Sequence, residues 1–139
     1  MTLDEKQKQI IEDFSMFDDW MQKYEYLIEL GKDLPKIEDS KKTEDRLIEG
    51  CQSKVWLDAK YENDKMHFSA DSDAIITKGI IGLLVQVLND QKPEEIAKAD
   101  LYFIKEIGLH EHLSPTRSNG LVSMVKKMKM EALKCLTKQ

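Results

Sequence analysis

The chain has 139 residues, 34% of them charged, with a formal net charge of -5 and two cysteines. A chain of this length fits one domain, residues 1–139, that buries roughly two thirds of the surface its unfolded form exposes and needs no disulfide or metal staple. The acidic balance argues against a nucleic-acid partner, which calls for a clustered basic surface, and the longest apolar stretch, residues 74–88, is shorter than the roughly twenty residues of a membrane span.

The opening Met1-Thr2-Leu3-Asp4-Glu5-Lys6 has no apolar segment behind its charges, so no signal peptide is expected and the chain reads as cytoplasmic. In that compartment two cysteines suggest chemistry or packing rather than a disulfide framework. Thr2 and Glu5 form a capping-box pattern ahead of a short amphipathic helix with Ile10, Ile11 and Phe14. A second helix is predicted behind Ser15. Its apolar set Phe17, Trp20, Met21, Tyr24, Leu27 and Ile28 recurs at three- and four-residue steps, and Gly31 stands where a left-handed C-terminal cap belongs.

Residues 32–45 are charged, include Pro35 and have no period, which predicts a loop that delivers the chain to sheet residues 46–48. Val55, Leu57, Ala59 and Tyr61 alternate with Lys54, Asp58, Lys60 and Glu62 as in a half-buried strand. Asn63-Asp64 then turns the chain into a second strand with Met66, Phe68 and Ala70 inward. Asp71, Ser72 and Asp73 are capping residues for a helix over residues 74–88 that is apolar around most of its circumference. Gly79 and Gly82 each cost that helix up to roughly 1 kcal/mol relative to alanine, which suggests that a neighbouring element comes close there. Pro93 starts a short helix to Ala99, residues 103–108 form another turn or two, and Ser114-Pro115 caps a last helix with the stripe Leu121, Met124, Val125, Met128, Ala132, Cys135, Leu136. The expected class is α+β: a small antiparallel sheet of about three strands, counting residues 46–48, with helices packed on one face.

Cys51 follows Gly50 in a turn at the mouth of the first strand. A thiol in such a place is either a reactive thiolate held beside cations or a small apolar filler made inert by burial. Gly50 lacks a β-carbon, so the backbone can adopt strained angles and another molecule can approach the sulfur. The order of four segments decides between the two. Gly50-Cys51-Gln52-Ser53-Lys54-Val55-Trp56, Asp71-Ser72-Asp73-Ala74, Lys78-Gly79-Ile80-Ile81 and His112-Leu113-Ser114-Pro115-Thr116-Arg117-Ser118-Asn119-Gly120-Leu121 together resemble the SufE family of sulfur-acceptor proteins, over residues 14–132. The segment at Cys51 and the Leu-Ser-Pro-Thr-Arg-Ser-Asn-Gly run are the two specific ones.

The resemblance implies a SufE/NifU-like fold and a role for Cys51 as the residue that accepts sulfur as a persulfide, with Gly50, Gln52, Ser53 and Trp56 supporting its loop and pocket. It implies a cysteine desulfurase as donor and an iron–sulfur scaffold as recipient, with Asp73, His112 and Arg117 on the partner surface. It assigns no cofactor to this chain; pyridoxal phosphate would belong to the desulfurase. Such a protein is a sulfur-transfer accessory, the substrate and activator of its partner, and either a monomer or a weak homodimer.

The residues also admit other readings. Trp56 falls on the polar parity of its strand, so it covers a second face or stands beside the thiol. Arg46, Lys54, His112 and Arg117 are the cations that would favour a thiolate. Asp71 and Asp73 read as helix caps before they read as an acid/base pair. His110 and His112 have a spacing too common to indicate a metal. The main alternative is a thiol redox enzyme or sensor in which Cys51 forms a sulfenic acid and Cys135 resolves it, against which Cys135 sits on a core stripe. A cluster scaffold of the U type would need several cysteine ligands, and this chain has one plausible one.

Overall fold

The computed structural model describes residues 1–137; residues 138 and 139 of the expected domain lie outside the described residues. Helix α1 spans Leu3–Ser15. The Thr2 hydroxyl accepts the Glu5 N–H at 3.1 Å and the Glu5 carboxylate accepts the Thr2 N–H at 2.9 Å, which satisfies two donors that a helix start leaves without partners. Leu3, Gln7, Ile10 and Phe14 are its buried face. Helix α2, Trp20–Lys32, starts five residues later than Ser15, because the Asp19 carboxylate takes the Gln22 N–H at 2.9 Å. Phe17 therefore lies in the α1–α2 turn.

Strands β1 (Val55–Glu62) and β2 (Lys65–Ser72) form an antiparallel hairpin in which Val55 pairs with Ser72 and Glu62 with Lys65. Asn63 and Asp64 have φ of 53° and 65°, the two left-handed positions that a tight hairpin turn needs. Helix α3, Ile75–Leu88, packs on β2, and the inward residues Val55, Leu57, Met66, Phe68 and Ala70 of the hairpin are all buried. The chain then forms α4 (Pro93–Lys98), α5 (Phe103–Glu106), α6 (Leu109–His112) and α7 (Pro115–Thr137). Buried residues of α1, α2, both strands and α3 to α7 share a single hydrophobic cluster.

Three expectations change in the structure. The sheet has two strands: residues 44–46 form a 3-10 turn, and only Leu47 bridges to β1, opposite Trp56, with the Ile48 N–H on the Val55 carbonyl at 2.8 Å. Three residues held by a turn on one side and a loop on the other are too few for a ladder. Gly31 is not a C-terminal cap. It lies inside α2, where an added β-carbon would stand 3.0 Å from the Gly79 nitrogen, and one at Gly79 would stand 2.5 Å from the Leu27 carbonyl oxygen. Gly31, Gly79 and Gly82 let the backbones of α2 and α3 touch, as the two α3 glycines suggested. The acids at 71 and 73 do not cap α3, whose start at Ala74 has no side-chain cap; Ser72 alone reaches it, accepting the Ala74 N–H at 3.3 Å.

Asp71 and Asp73 are instead used over longer range. Residues 33–48 cross the outer face of the hairpin, from Pro35, whose carbonyl takes the Ala70 N–H, to Ile48 on β1. Lys41 and Arg46 each hold Asp58 at 3.2 Å, and Lys42 holds Asp71 at 2.7 Å, with Lys78 of α3 on its other oxygen at 3.3 Å. This strap covers the face opposite α3.

Candidate functional site

Cys51 stands in the loop of residues 49–54 between the strap and β1, and two local constraints shape that loop. Gly50 has φ of 92°, a backbone conformation that side chains rarely adopt, and a β-carbon there would collide with the Ser123 hydroxyl of α7. At the other end the Lys54 N–H donates to the Asp73 carboxylate at 3.0 Å and the Asp73 N–H donates to the Lys54 carbonyl at 3.3 Å, which extends the hairpin ladder one residue beyond Val55 and Ser72. The loop is thus tied at its end and turned at its start.

The Cys51 thiol is half-buried and donates to the Gly120 carbonyl at 3.7 Å. It opens on a cavity of about 250 Å³. Buried Thr77 and Ile80 of α3 and Met124 of α7 form its inner wall, while Gln52, Ser53, Ser114, Thr116 and Arg117 form the more exposed side. Burial raises the pKa of the Cys51 thiol above its ordinary value, because the charged thiolate loses more from desolvation than the neutral form. At rest the sulfur is half-buried, and that burial favours its protonated form.

The segment from Leu113 to Gly120 reaches this cavity as a helix start. Ser114 accepts the Arg117 N–H on its hydroxyl at 3.3 Å and the Ser118 N–H on its carbonyl at 2.9 Å, and Pro115, which has no N–H, needs no acceptor at the first helical position. Two turns of α7 then carry Thr116 and Arg117 to the rim and Gly120 to the sulfur.

Of the four cations considered for the thiol, Arg117 alone lines the cavity. Arg46 is engaged with Asp58 on the outer face of the sheet, and Lys54, exposed at the end of the loop, does not line the cavity. His112 is turned away: its ring stacks on Trp20 with centroids 4.0 Å apart and its Nδ1 lies 3.0 Å from the Gly108 carbonyl. Trp56 also departs from the expected pocket. Its neighbours Val55 and Leu57 point inward, so its ring lies on the outer face, 5.7 Å from the Lys42 ammonium. Among the described residues no group of three His, Cys, Asp or Glu side chains is placed to hold a metal, and no helix is long and apolar enough to cross a membrane.

Thr77, Met124 and Ser123 belong to the site without a sequence signal that marks them for it, and Ile80 and Gly120 stand out only as members of segments that resemble the family. The apolar ones look like ordinary stripe residues. Gly120 is visible only as the end of the Ser-Pro-Thr-Arg-Ser-Asn-Gly run. What distinguishes it is the absence of a β-carbon, which would stand 3.5 Å from Cys51 Sγ.

Cys135 lies half-buried near the end of α7, packed against the core. It is fifteen residues past Gly120 on the same helix, about 22 Å along the axis at 1.5 Å per residue. A disulfide needs α-carbons within about 7 Å.

Comparison with known proteins gives a family and a fold. A family model, SufE, the Fe-S metabolism associated domain, matches residues 8–132. An uncharacterized SufE-like protein of Rhizobium etli is 44% identical over 129 residues, covering 89% of this chain and 87% of the relative. A second, from Rhizobium meliloti, is 39% identical over 89% of this chain and 92% of its own. SufE-like protein 1, chloroplastic/mitochondrial, of Arabidopsis thaliana is 36% identical, with 92% of this chain matching 35% of that longer protein. The solution structure of a hypothetical protein from Thermus thermophilus superposes with a TM-score of 0.79 at 25% identity, over 95% of this chain and 96% of that one. The chain belongs to the SufE family, whose domain is associated with Fe-S metabolism.

Proposed function

We propose that this protein is a cytoplasmic sulfur acceptor, in which Cys51 takes sulfane sulfur from the persulfide of a cysteine desulfurase and passes it to an iron–sulfur assembly scaffold. The observation that carries the reading is the seat of the thiol: a glycine-turned loop holds Cys51 over a cavity that also contains Arg117, with Cys135 far beyond reach.

The transfer is an exchange. The Cys51 thiolate attacks the outer sulfur of the donor R–S–SH, the donor S–S bond breaks, R–S⁻ leaves and takes up the proton that Cys51 lost, and Cys51–S–SH forms. No oxidant is consumed. Delivery repeats the step with a scaffold thiolate attacking the outer sulfur of Cys51–S–SH. The nucleophile must be a thiolate, and burial opposes that form in the resting loop. A partner that binds the loop drawn outward removes the desolvation and raises the fraction of reactive sulfur by its differential affinity. Arg117 at the rim supplies positive potential at the same place. When the loop returns, the cavity beside Cys51 shelters the persulfide from solvent thiols.

In this reading the protein is consumed and regenerated by its partners and has no pyridoxal phosphate of its own. It stimulates the desulfurase by clearing that enzyme's persulfide. Alanine release from free cysteine by a desulfurase is therefore expected to accelerate with the native chain and to stay at its basal rate with Cys51→Ser. Equal stimulation by both proteins would remove Cys51 from the reaction. The redox alternative has no comparable support, since α7 holds Cys135 about 22 Å from the backbone that Cys51 touches.

A further inference from the structure

The formal charge of this chain is not spread over its surface. Residues 12–29 hold six carboxylates and one lysine, so this segment accounts for the whole net charge of -5 and the remainder has 20 residues of each sign. The one lysine, Lys23, lies over the Trp20 ring at 5.0 Å.

An open groove of about 490 Å³ runs along the same corner, where α1 turns into α2. Phe17, Tyr26 and Ile28 are its apolar side and Gln22, Glu25 and Glu29 its polar side. Its floor is rigid. The Tyr26 ring packs against Phe14 and Phe17 with centroids 5.2 and 5.3 Å away, and its hydroxyl donates to Asp13 at 3.0 Å. Next in the chain to the lining residues Phe17 and Gln22, Met16 and Met21 are 76% and 74% exposed. Met21 stands four and seven residues before Glu25 and Ile28, on the same helix face. Glu29 has Lys32 at 3.2 Å, but both side chains are mostly exposed and such a pair contributes little.

We propose that this corner is a second docking surface, fitted to a cationic amphipathic helix on a partner protein. Exposed apolar patches rimmed by charge mark interaction sites, and methionine adapts to the shape of what packs on it. A helix laid in a groove places its apolar face on such a floor, and carboxylates on the rim select a basic partner and steer its approach. The same carboxylates repel nucleic acid and anionic membrane. No residue lining this groove lines the Cys51 cavity, and the proposal does not depend on the chemistry of the thiol.

The test uses the full chain labelled at its methionine methyl groups and an amphipathic leucine/lysine peptide of about five helical turns. Saturable shifts at Met16 and Met21 are expected. They should weaken by about tenfold or more in the variant Glu25→Lys/Glu29→Lys, whose exposed sites leave the fold intact, and should vanish for the matching leucine/glutamate peptide. Cys51→Ser should bind the peptide as the native chain does. Shifts centred on other methionines, undiminished binding by the double variant, or an equal response to phosphatidylcholine vesicles would overturn the proposal.

Discussion

The Cys51 thiol and the Gly120 carbonyl lie 3.7 Å apart although 69 residues separate them in the chain. That contact joins the loop before β1 to the second turn of α7, and it fixes where the sulfur rests. The room at Gly120 is specific: a β-carbon there would meet Sγ at 3.5 Å, an ordinary packing distance.

Gly120→Ala is accordingly expected to leave stability unchanged or raised by up to about 1 kcal/mol, since alanine is the better helix former. It should nonetheless slow sulfur acceptance, because the added methyl closes the side of the thiol that Gly120 leaves open. A calorimetric scan and a single-turnover transfer assay on the same protein separate the two effects.

Asp73→Ala removes the acceptor for the Lys54 N–H and loosens the end of the thiol loop. The site is exposed, so unfolding free energy should fall by no more than about 1 kcal/mol. Iodoacetamide should label Cys51 faster in this variant than in the native chain. An unchanged labelling rate would mean that the loop is held elsewhere.

Arg117→Ala is predicted to reduce desulfurase stimulation with almost no change in melting temperature, since Arg117 is exposed on the cavity rim and surface charges contribute about 0–1 kcal/mol. A loss of stability as large as that of a core truncation would give Arg117 a structural role instead.

The pH dependence follows from burial of Cys51. A raised thiol pKa means that the thiolate appears at higher pH than in an exposed thiol. The midpoint of the alkylation rate should therefore lie above that of a model cysteine peptide, and it should move down when a catalytically inactive desulfurase draws the loop outward. The sign is diagnostic: a midpoint below the model value would show a thiolate already stabilised at rest.

Much of this arrangement is legible in the residues because the causes are local. Thr2 with Glu5, Asn63-Asp64, and the all-round apolarity of α3 each dictate their own element within a few positions. The departures share a different physical origin. Asp71 and Asp73 look like caps by position, yet lysines from the strap and α3 claim one and the Lys54 backbone the other. Gly31 follows an apolar period as a cap glycine would, but its place is decided by Gly79, which only the packed structure brings to it. Trp56 is expected to support the thiol's pocket and His112 is one of the cations weighed for the thiolate, whereas strand parity and a stacking partner hold both rings away from the cavity. The cavity itself, made from α3, α7 and one loop, has no local signature.

Cys51 alone is expected to accept sulfur, and intact mass reads the outcome at each cysteine. The native chain, Cys51→Ser and Cys135→Ser are each incubated with a cysteine desulfurase, pyridoxal phosphate and free cysteine, then measured without reductant. The native chain and Cys135→Ser should gain the mass of a sulfur atom that a reductant removes, and Cys51→Ser should gain nothing. A gain on Cys51→Ser, or its loss from Cys135→Ser, would contradict the account.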